Sequence, residues 1–574
     1  MKNKEEFMDF FSVLTMAGGI ALFLFGMNYM GDGLKKLSGG SLEAILQKLT
    51  ANRFMGFFLG LFVTAAIQSS SAVMVMLVGF VNSGIMVLSQ TSSVLLGANI
   101  GTTATAWLLS TSGISGSNFI LRLLKPTSFT PILAVVGVTL KMFTKKDKTK
   151  DICNILIGFA ILMFGMQTMS SATSGLQNSE SFTHALVMFS NPIMGILVGT
   201  LFTAVLQSSS ATVGILQALS LTTAIPMSTA VPIILGMNIG ASVPPVLSAI
   251  SGNTHAKRVA ALCVYLKIIG VAIFASIFYL INAFMHFSFL DANASVFTIA
   301  MFHTAYNVAA TIILFPLLKP IEHLAEITIK GDPEGEKKKD VFAGLDERFL
   351  QFPPFAIEKS RELVVQMANI AKQSFDGAIC MAFSFDEKVA KKITKNENLV
   401  DRYEDKLTAY LIKLVGKRKS TFRESNEATT LTHIISDIER ISDYSYDIVG
   451  TAREIDENQI EFSDTAKDEI DEISKVLSEM LGYAIEAIAT KDKAAVMKIG
   501  PLKKETDELI FKTRSNHIER LQNNQCSIDA GFVFLDLLTD VGHISNHCSN
   551  IAVYFQQKED TPLRLHKKKR KKAS

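Results

Sequence analysis

Acidic side chains are absent from two long stretches of this 574-residue chain, Ala44 to Lys146 and Ser181 to Leu290. Basic ones are absent from Phe54 to Leu121 and from Asp151 to Ala256. Tracts this long without ionic groups cannot furnish a solvated surface, and with 48% hydrophobic residues they exclude an ordinary soluble protein. Cysteine is sparse. Cys153, Cys263, Cys380, Cys526 and Cys548 are scattered without C-x-x-C spacing, which excludes a disulfide scaffold. The sequence also lacks a P-loop, a nucleophile elbow, a zinc motif and a convergent His/Asp/Ser set, so it is not read as an enzyme.

What remains is a series of apolar segments, at about 11–30, 54–82, 85–109 and 119–142, then 152–169, 193–220, 226–250, 258–283 and 296–318. Each is near the ~20 residues that span a bilayer. The acidic start MKNKEEFMDF leads into the first span and many follow, so a cleaved signal peptide is not expected. Charge gathers after Lys319, which divides the chain into a membrane part and a water-soluble part.

The membrane part is duplicated. NRFMGFFLGLFVTAAIQSSSA (Asn52 to Ala72) aligns without a gap to NPIMGILVGTLFTAVLQSSSA (Asn191 to Ala211), 139 positions on. The same offset carries FGMNYM (Phe25 to Met30) onto FGMQTM (Phe164 to Met169), and GANIG (Gly97 to Gly101) onto GMNIG (Gly236 to Gly240).

Loop charges orient the copies. Lys35, Lys36, Lys48 and Arg53 follow the first segment, whereas the matched loop Ser170 to Asn191 has no Lys or Arg. Thr111 to Asn118 lacks positive charge, whereas its counterpart ends in Lys257 and Arg258. By the positive-inside rule, matched loops lie on opposite sides and the copies are inverted. Lys2, Lys4, Arg122 and Lys125 run against this pattern. The basic linker Lys141 to Lys150 is then cytoplasmic, Met285 to Ser295 external, and the extra segment 296–318 returns the chain to the cytoplasm. With four segments per copy and opposite ends on opposite sides, one segment must fail to cross; the QSSS-interrupted second segment is the expected re-entrant hairpin.

Interrupted helices at equivalent positions of inverted repeats mark a secondary transporter. Gln68, Ser69, Ser70 and Ser71, with Gln207, Ser208, Ser209 and Ser210, would bring neutral oxygens and freed backbone groups to mid-membrane, where helix N-termini favour anions and carbonyls favour small cations. The glycine-flanked Asn99 and Asn238, with Thr102, Thr103 and Ser242, form a second polar cluster in each copy. Without intramembrane carboxylates a proton relay is disfavoured, and coupling to Na+ fits better. His303 is read as a packing residue.

The paired QSSS, GANIGTT and GMNIG motifs resemble the type II sodium/phosphate cotransporter family over roughly residues 11–318. The resemblance implies inorganic phosphate as substrate, sodium as coupling ion and the two QSSS hairpins as the core of the site. Where copy one has Thr102, Thr103 and Thr105, copy two has Ala241, Ser242 and Pro244, so only Ser242 keeps a hydroxyl.

Past a Gly/Pro/Lys-rich stretch (Lys330 to Lys339), Pro354 to Gln557 shows helix-period apolar spacing. SDIERISDYSYDIV (Ser436 to Val449) pairs with TDVGHISNHCSNIA (Thr539 to Ala552) at an offset of 103, which suggests two three-helix bundles in tandem. Glu397 and Asp401, and Glu439 and Asp443, are each four apart and so share a helix face. This half resembles the PhoU family of phosphate-signalling proteins, and the resemblance implies that these four acids hold a divalent or ferric metal. The matching second-half positions, Lys503 with Asp507 and Gly542 with Asn546, lack three of the four acids. Metal is therefore expected in the first half alone. The basic tail RLHKKKRKKAS (Arg564 to Ser574) suits anionic lipid headgroups, and nucleic acid is not expected as a partner.

The expected fold is all-α. A polytopic transporter (1–320, repeats 11–143 and 152–283, extra helix 296–318) is followed by a linker (321–345), a PhoU-like helical bundle (346–560) and the tail (561–574). The chain is expected to cross the cell (inner) membrane many times with its C-terminal domain in the cytoplasm. Beyond phosphate, sodium and lipid, a homodimer and a phosphate-signalling protein stand as candidate partners.

Overall fold

The computed structural model describes residues 10–38, 52–113, 126–144, 146–173, 188–331, 341–416, 422–523 and 525–556. The basic tail, Lys2, Lys4, Lys48, Arg122, Lys125 and most of the Lys330–Lys339 stretch lie outside them. The described residues are helical, with one isolated bridge between Pro226 and Asn293. The chain divides into two compact units, Met1–Arg348 and Phe349–Ser574.

In the first unit the helices of copy one are α1 (Phe10–Ser38), α2 (Arg53–Ile67), α3 (Ser70–Asn82), α4 (Leu88–Gly101), α5 (Thr103–Ser110) and α6 (Pro126–Phe143). Those of copy two are α7 (Asp147–Thr173), α8 (Pro192–Leu206), α9 (Ser209–Ser220), α10 (Met227–Gly240), α11 (Val243–Ala249) and α12 (Thr254–Met285), followed by α13 (Val296–Leu314) and α14 (Leu318–Thr328). The 139-residue offset maps both ends of α2 onto α8 and both ends of α4 onto α10. Asn52 and Asn191 cap α2 and α8 alike, each side chain accepting from the backbone N–H two residues on.

Glycine sets the packing. A Cβ on Gly60, Gly97 or Gly101 would strike the carbonyls of Val94, Phe57 or Leu61, and one on Gly199, Gly236 or Gly240 those of Ile233, Ile196 or Thr200. The same glycines at the same spacing thus bring α2 against α4 and α8 against α10. Between copies, α1 and α7 pack antiparallel: Gly19 meets Gly165 and Met169, while Gly26 meets Gly158 and Leu162.

Among the described residues, five spans are long and apolar enough to cross a membrane: Phe11–Leu37, Lys148–Ala172, Met227–Ala249, Thr254–Met285 and Val296–Leu314. The α8–α9 pair is bent by 119° at its break. Phe54, Phe58 and Phe62 on α2, and Ile193, Leu197 and Leu201 on α8, form matched exposed apolar stripes of the kind that lipid covers.

Helix α14 forms where the sequence suggested linker. It is amphipathic, buries Leu318, Ile321 and Ala325, and packs on α12. Glu322 accepts from both Arg53 Nη2 (3.0 and 3.1 Å) and Ser92 Oγ (2.6 Å). Further on, Asp346 accepts from Asn82 Nδ2 at 2.7 Å and pairs with Arg348 at 3.0 Å. Arg53 opens α2 and Asn82 closes α3, so the segment after α13 holds both feet of the first QSSS hairpin.

The second unit contains α15 (Pro353–Met381), α16 (Glu387–Gly416), α17 (Phe422–Glu457), α18 (Asp464–Thr490), α19 (Lys493–Gln522) and α20 (Ile528–Gln556). They form two three-helix bundles, α15–α17 and α18–α20, joined chiefly along α17 and α20. At that seam Asp437 is buried and accepts from Asn550 Nδ2 (3.1 Å), with His547 Nδ1 2.7 Å away. Tyr444 stacks on His543 with ring centres 4.7 Å apart.

Candidate functional site

Each interrupted segment is two helices joined by a two-residue turn. α2 closes at Gln68 with φ 58°, and α8 closes at Gln207 with φ 55°. These are left-handed conformations that a non-glycine residue holds only where something favours them. Here the Gln68 side chain supplies local bonds: its Nε2 donates to the Ala65 carbonyl at 2.5 Å, and its Oε1 accepts from Thr105 Oγ1 at 2.8 Å. Ser69 and Ser208 then act as N-caps of α3 and α9, their hydroxyls accepting from Ala72 and Ala211 N–H at 3.3 and 3.2 Å. The cap leaves the N–H groups of Ser70 and Ser71, and of Ser209 and Ser210, ahead of the first intrahelical bond, where the helix dipole is positive.

The two turns meet. Ser71 Oγ donates to the Gln207 carbonyl at 3.2 Å, and Ser210 Oγ reaches Thr105 Oγ1 at 3.4 Å. Through Thr105 the hydroxyl of copy two is joined to Gln68 of copy one. Gln68, Ser71, Gln207 and Ser210 are thereby joined across the two copies.

The second cluster behaves differently. Thr102 Oγ1 donates to Ala98 O (2.9 Å) and Thr103 Oγ1 to Ile100 O (2.7 Å), so both hydroxyls bond the last turn of α4, Thr103 from across the break. Ser242 Oγ donates to Ile239 O at 2.7 Å, the same bond as that of Thr103 moved by the repeat offset. Asn238 is buried and its Nδ2 donates to Ile234 O at 2.8 Å, whereas Asn99 is half-buried. Thr105, outside the predicted set, makes one of the two links between copies. The only sequence signal for it was its place in GANIGTTAT.

Copy-specific polar groups were also missed. Thr203 and Thr212 share a hydrogen bond of 2.9 Å in copy two; their copy-one counterparts are Thr64 and Val73, and buried Thr64 Oγ1 has no partner among the described residues. Fully buried Gln217 donates to Ala106 O (3.0 Å) and Val296 O (2.7 Å), tying α9 to α5 and α13. Lys267 of α12 is buried as well. His303 is 1% exposed and neither ring nitrogen has a partner among the described residues.

In the second unit, Glu397, Asp401 and Asp443 each offer a carboxylate oxygen within 4.8 Å of the other two. Glu439, on the same helix as Asp443, stands outside this group and faces Arg440 at 3.5 Å. Burial, then repulsion by Asp401, raises the Glu397 carboxyl above its ordinary range. Burial and then Asp443 raise Asp401, and the same two causes push Glu439 up to about 7. Three mutually repelling oxygens are a donor set for a hard cation, so the residues fit a divalent or ferric ion. In the second bundle, Lys503 pairs with Asp507 along α19, which puts an ammonium where the first bundle has a carboxylate.

Residues 22–171 and 172–296 match the Na+/Pi-cotransporter family, and 364–452 and 470–554 match the PhoU domain. The N-terminal part of the chain belongs to the Na+/Pi-cotransporter family, and the C-terminal part carries PhoU domains. The family boundary at 171/172 falls within α7, the first helix of the second copy. Among its relatives, the Escherichia coli K12 protein YjbB, named for inorganic phosphate export, is 21% identical over 96% of this chain and 98% of its own length. YqeW of Bacillus subtilis is 26% identical over 55% of this chain and 98% of its own length. Among solved structures, PhoU from Pseudomonas aeruginosa aligns with 34% of this chain and 94% of that one, with a TM-score of 0.33 and 16% identity.

Proposed function

We propose that this protein carries inorganic phosphate across the cell membrane together with sodium, and that its PhoU half regulates the flux from the cytoplasm. The observation that carries this reading is the junction of the two QSSS turns through Ser71–Gln207 and Ser210–Thr105. Two helix N-termini and their serine hydroxyls converge there, an arrangement that favours an oxyanion, while the α2 and α8 C-terminal ends present carbonyls suited to sodium. The antiparallel packing of α1 on α7 supports an inverted repeat, and Lys257 and Arg258 at the start of α12 support a cytoplasmic side shared with α14.

Radiolabelled phosphate flux into proteoliposomes with sodium gradients of either sign tests the reading. We expect flux that follows the sodium gradient; equal flux with sodium equilibrated and with a gradient would end the coupling claim. YjbB's name bears on direction, but a coupled carrier obeys the sum of its gradients, so the same vesicles report both directions.

In the PhoU half, Glu397, Asp401 and Asp443 hold the cation, with Glu439 at its edge. A cation competes with protons for carboxyls whose affinity for protons is raised, so binding tightens as pH rises. Calorimetric titration with Mn2+ at pH 8 and pH 5.5 should show weaker binding at the lower pH and loss of binding in Asp443→Asn. Equal affinity at both pH values would contradict carboxylate ligation.

A further inference from the structure

Three basic Lys and Arg side chains are buried among the described residues, and they are not alike. Lys359, 8% exposed, pairs with Glu362 at 2.8 Å, and Arg361, 3% exposed, pairs with Glu427. Lys267 is 6% exposed and, among the described residues, has no carboxylate within ion-pairing distance. None is available from its neighbourhood in sequence, since Asp and Glu are absent from Ser181 to Leu290. A buried ammonium without a counterion is unfavourable, and in a membrane segment it marks function.

Its depth can be read from helix geometry. Asn253, the N-cap of α12, donates its backbone N–H to Asn82 Oδ1 (2.9 Å) and its Nδ2 to Asn82 O (2.8 Å), which pins the start of α12 to the end of α3. From that joint the two helices pack alongside each other. Counting back along α3, Ser70 lies about 18 Å from Asn82; counting forward along α12, Lys267 lies about 21 Å from Asn253, at ~1.5 Å per residue. The two counts bring Lys267 to the level of the first QSSS turn. His303 of α13 is a further buried side chain, and neither of its ring nitrogens has a partner among the described residues.

We propose that Lys267 is the built-in countercharge of the substrate site: its ammonium pairs with the oxyanion held at the QSSS turns. The inference rests on the phosphate reading above. Hydroxyls, amides and helix ends supply no full positive charge, and the long, flexible lysine stem lets a point charge reach phosphate oxygens from a neighbouring helix.

The test is equilibrium binding of 32P-phosphate to the purified full chain in nanodiscs at saturating sodium, beside sodium-induced thermal stabilisation without phosphate. Lys267→Met should weaken phosphate binding by about tenfold or more, Lys267→Arg by about threefold or less, and neither should change the sodium response. Unchanged phosphate affinity in Lys267→Met overturns the proposal. So does a lost sodium response with normal phosphate binding, which would make the ammonium a stand-in for a sodium ion. If the wild type itself binds no phosphate, the functional reading fails instead. A measurement on the wild type alone covers misfolding of the variants: phosphate should shield Lys267, but not exposed Lys257, from an amine-acylating reagent read by mass spectrometry. Indifference of Lys267 labelling to phosphate would equally overturn it.

Discussion

Gln68 does two jobs, one with the backbone and one with the side chain, whereas Gln207 acts through its backbone. Their positive φ turns the chain between the two helices of each hairpin, and the Gln68 amide joins Ala65 to Thr105. Glycine adopts φ near +60° without strain, whereas alanine pays roughly 1 kcal/mol for it. The pair of substitutions therefore separates the jobs: Gln68→Gly should melt near the wild type yet lose most phosphate flux, and Gln68→Ala should lose flux and about 1 kcal/mol of stability as well. Full flux in Gln68→Gly would show that the turn, not the amide, matters. At this scale the sequence was readable where polarity was repeated in register. QSSS stood out because four polar residues recur in two apolar helices. Thr105 and Lys267 did not, because each is a single residue whose importance comes from a partner, or the lack of one, on another helix.

Among the elements, α14 is the one that sequence patterning passed over. LKPIEHLAEIT carries charge enough to look like linker, and its buried face became visible only against α12. Helices α2, α4, α8 and α10 were legible as apolar runs and QSSS marked the breaks after α2 and α8, whereas the exact breaks at Thr102 and Ala241 came from the structure. Glu322 on α14 and Asp346 beyond it hold Arg53 and Asn82, the two feet of hairpin one, while the equivalent positions in copy two are Pro192 and Leu221 and cannot form these bonds. Among the described residues, these bonds fasten the chain leading to the PhoU half to the first hairpin. Glu322→Gln keeps a hydrogen-bond acceptor for Ser92 but removes the charge that Arg53 pairs with. It should speed hydrogen exchange at the start of α2 by about threefold to tenfold, the equivalent of ~1 kcal/mol for a partly buried pair, and should alter flux without abolishing it. Exchange identical to the wild type would mean that the contact bears no load.

For the whole molecule, the two-part division was written in the charge distribution, and the bundles of the second unit in helix-period spacing; how matched helices touch was not, since glycine contacts are tertiary. Removing the PhoU half while keeping the Asp346 contact, by ending the chain at Arg348, should leave sodium-dependent flux in place but remove its response to metal supplied on the cytoplasmic side. A truncated chain that still responds to the metal would place regulation in the membrane unit. The glycine contact of α1 with α7 reaches further back. Gly158 and Gly165 are the second-copy equivalents of Gly19 and Gly26, and the contacts are Gly19 with Gly165 and Gly26 with Gly158. Exchanging the copies leaves this set of contacts unchanged, which is the property of a two-fold interface between identical chains. A half-length chain bearing one such pair of glycines could satisfy the same contacts with a second copy of itself, so the helix pair has the geometry of a self-complementary interface closed within one chain.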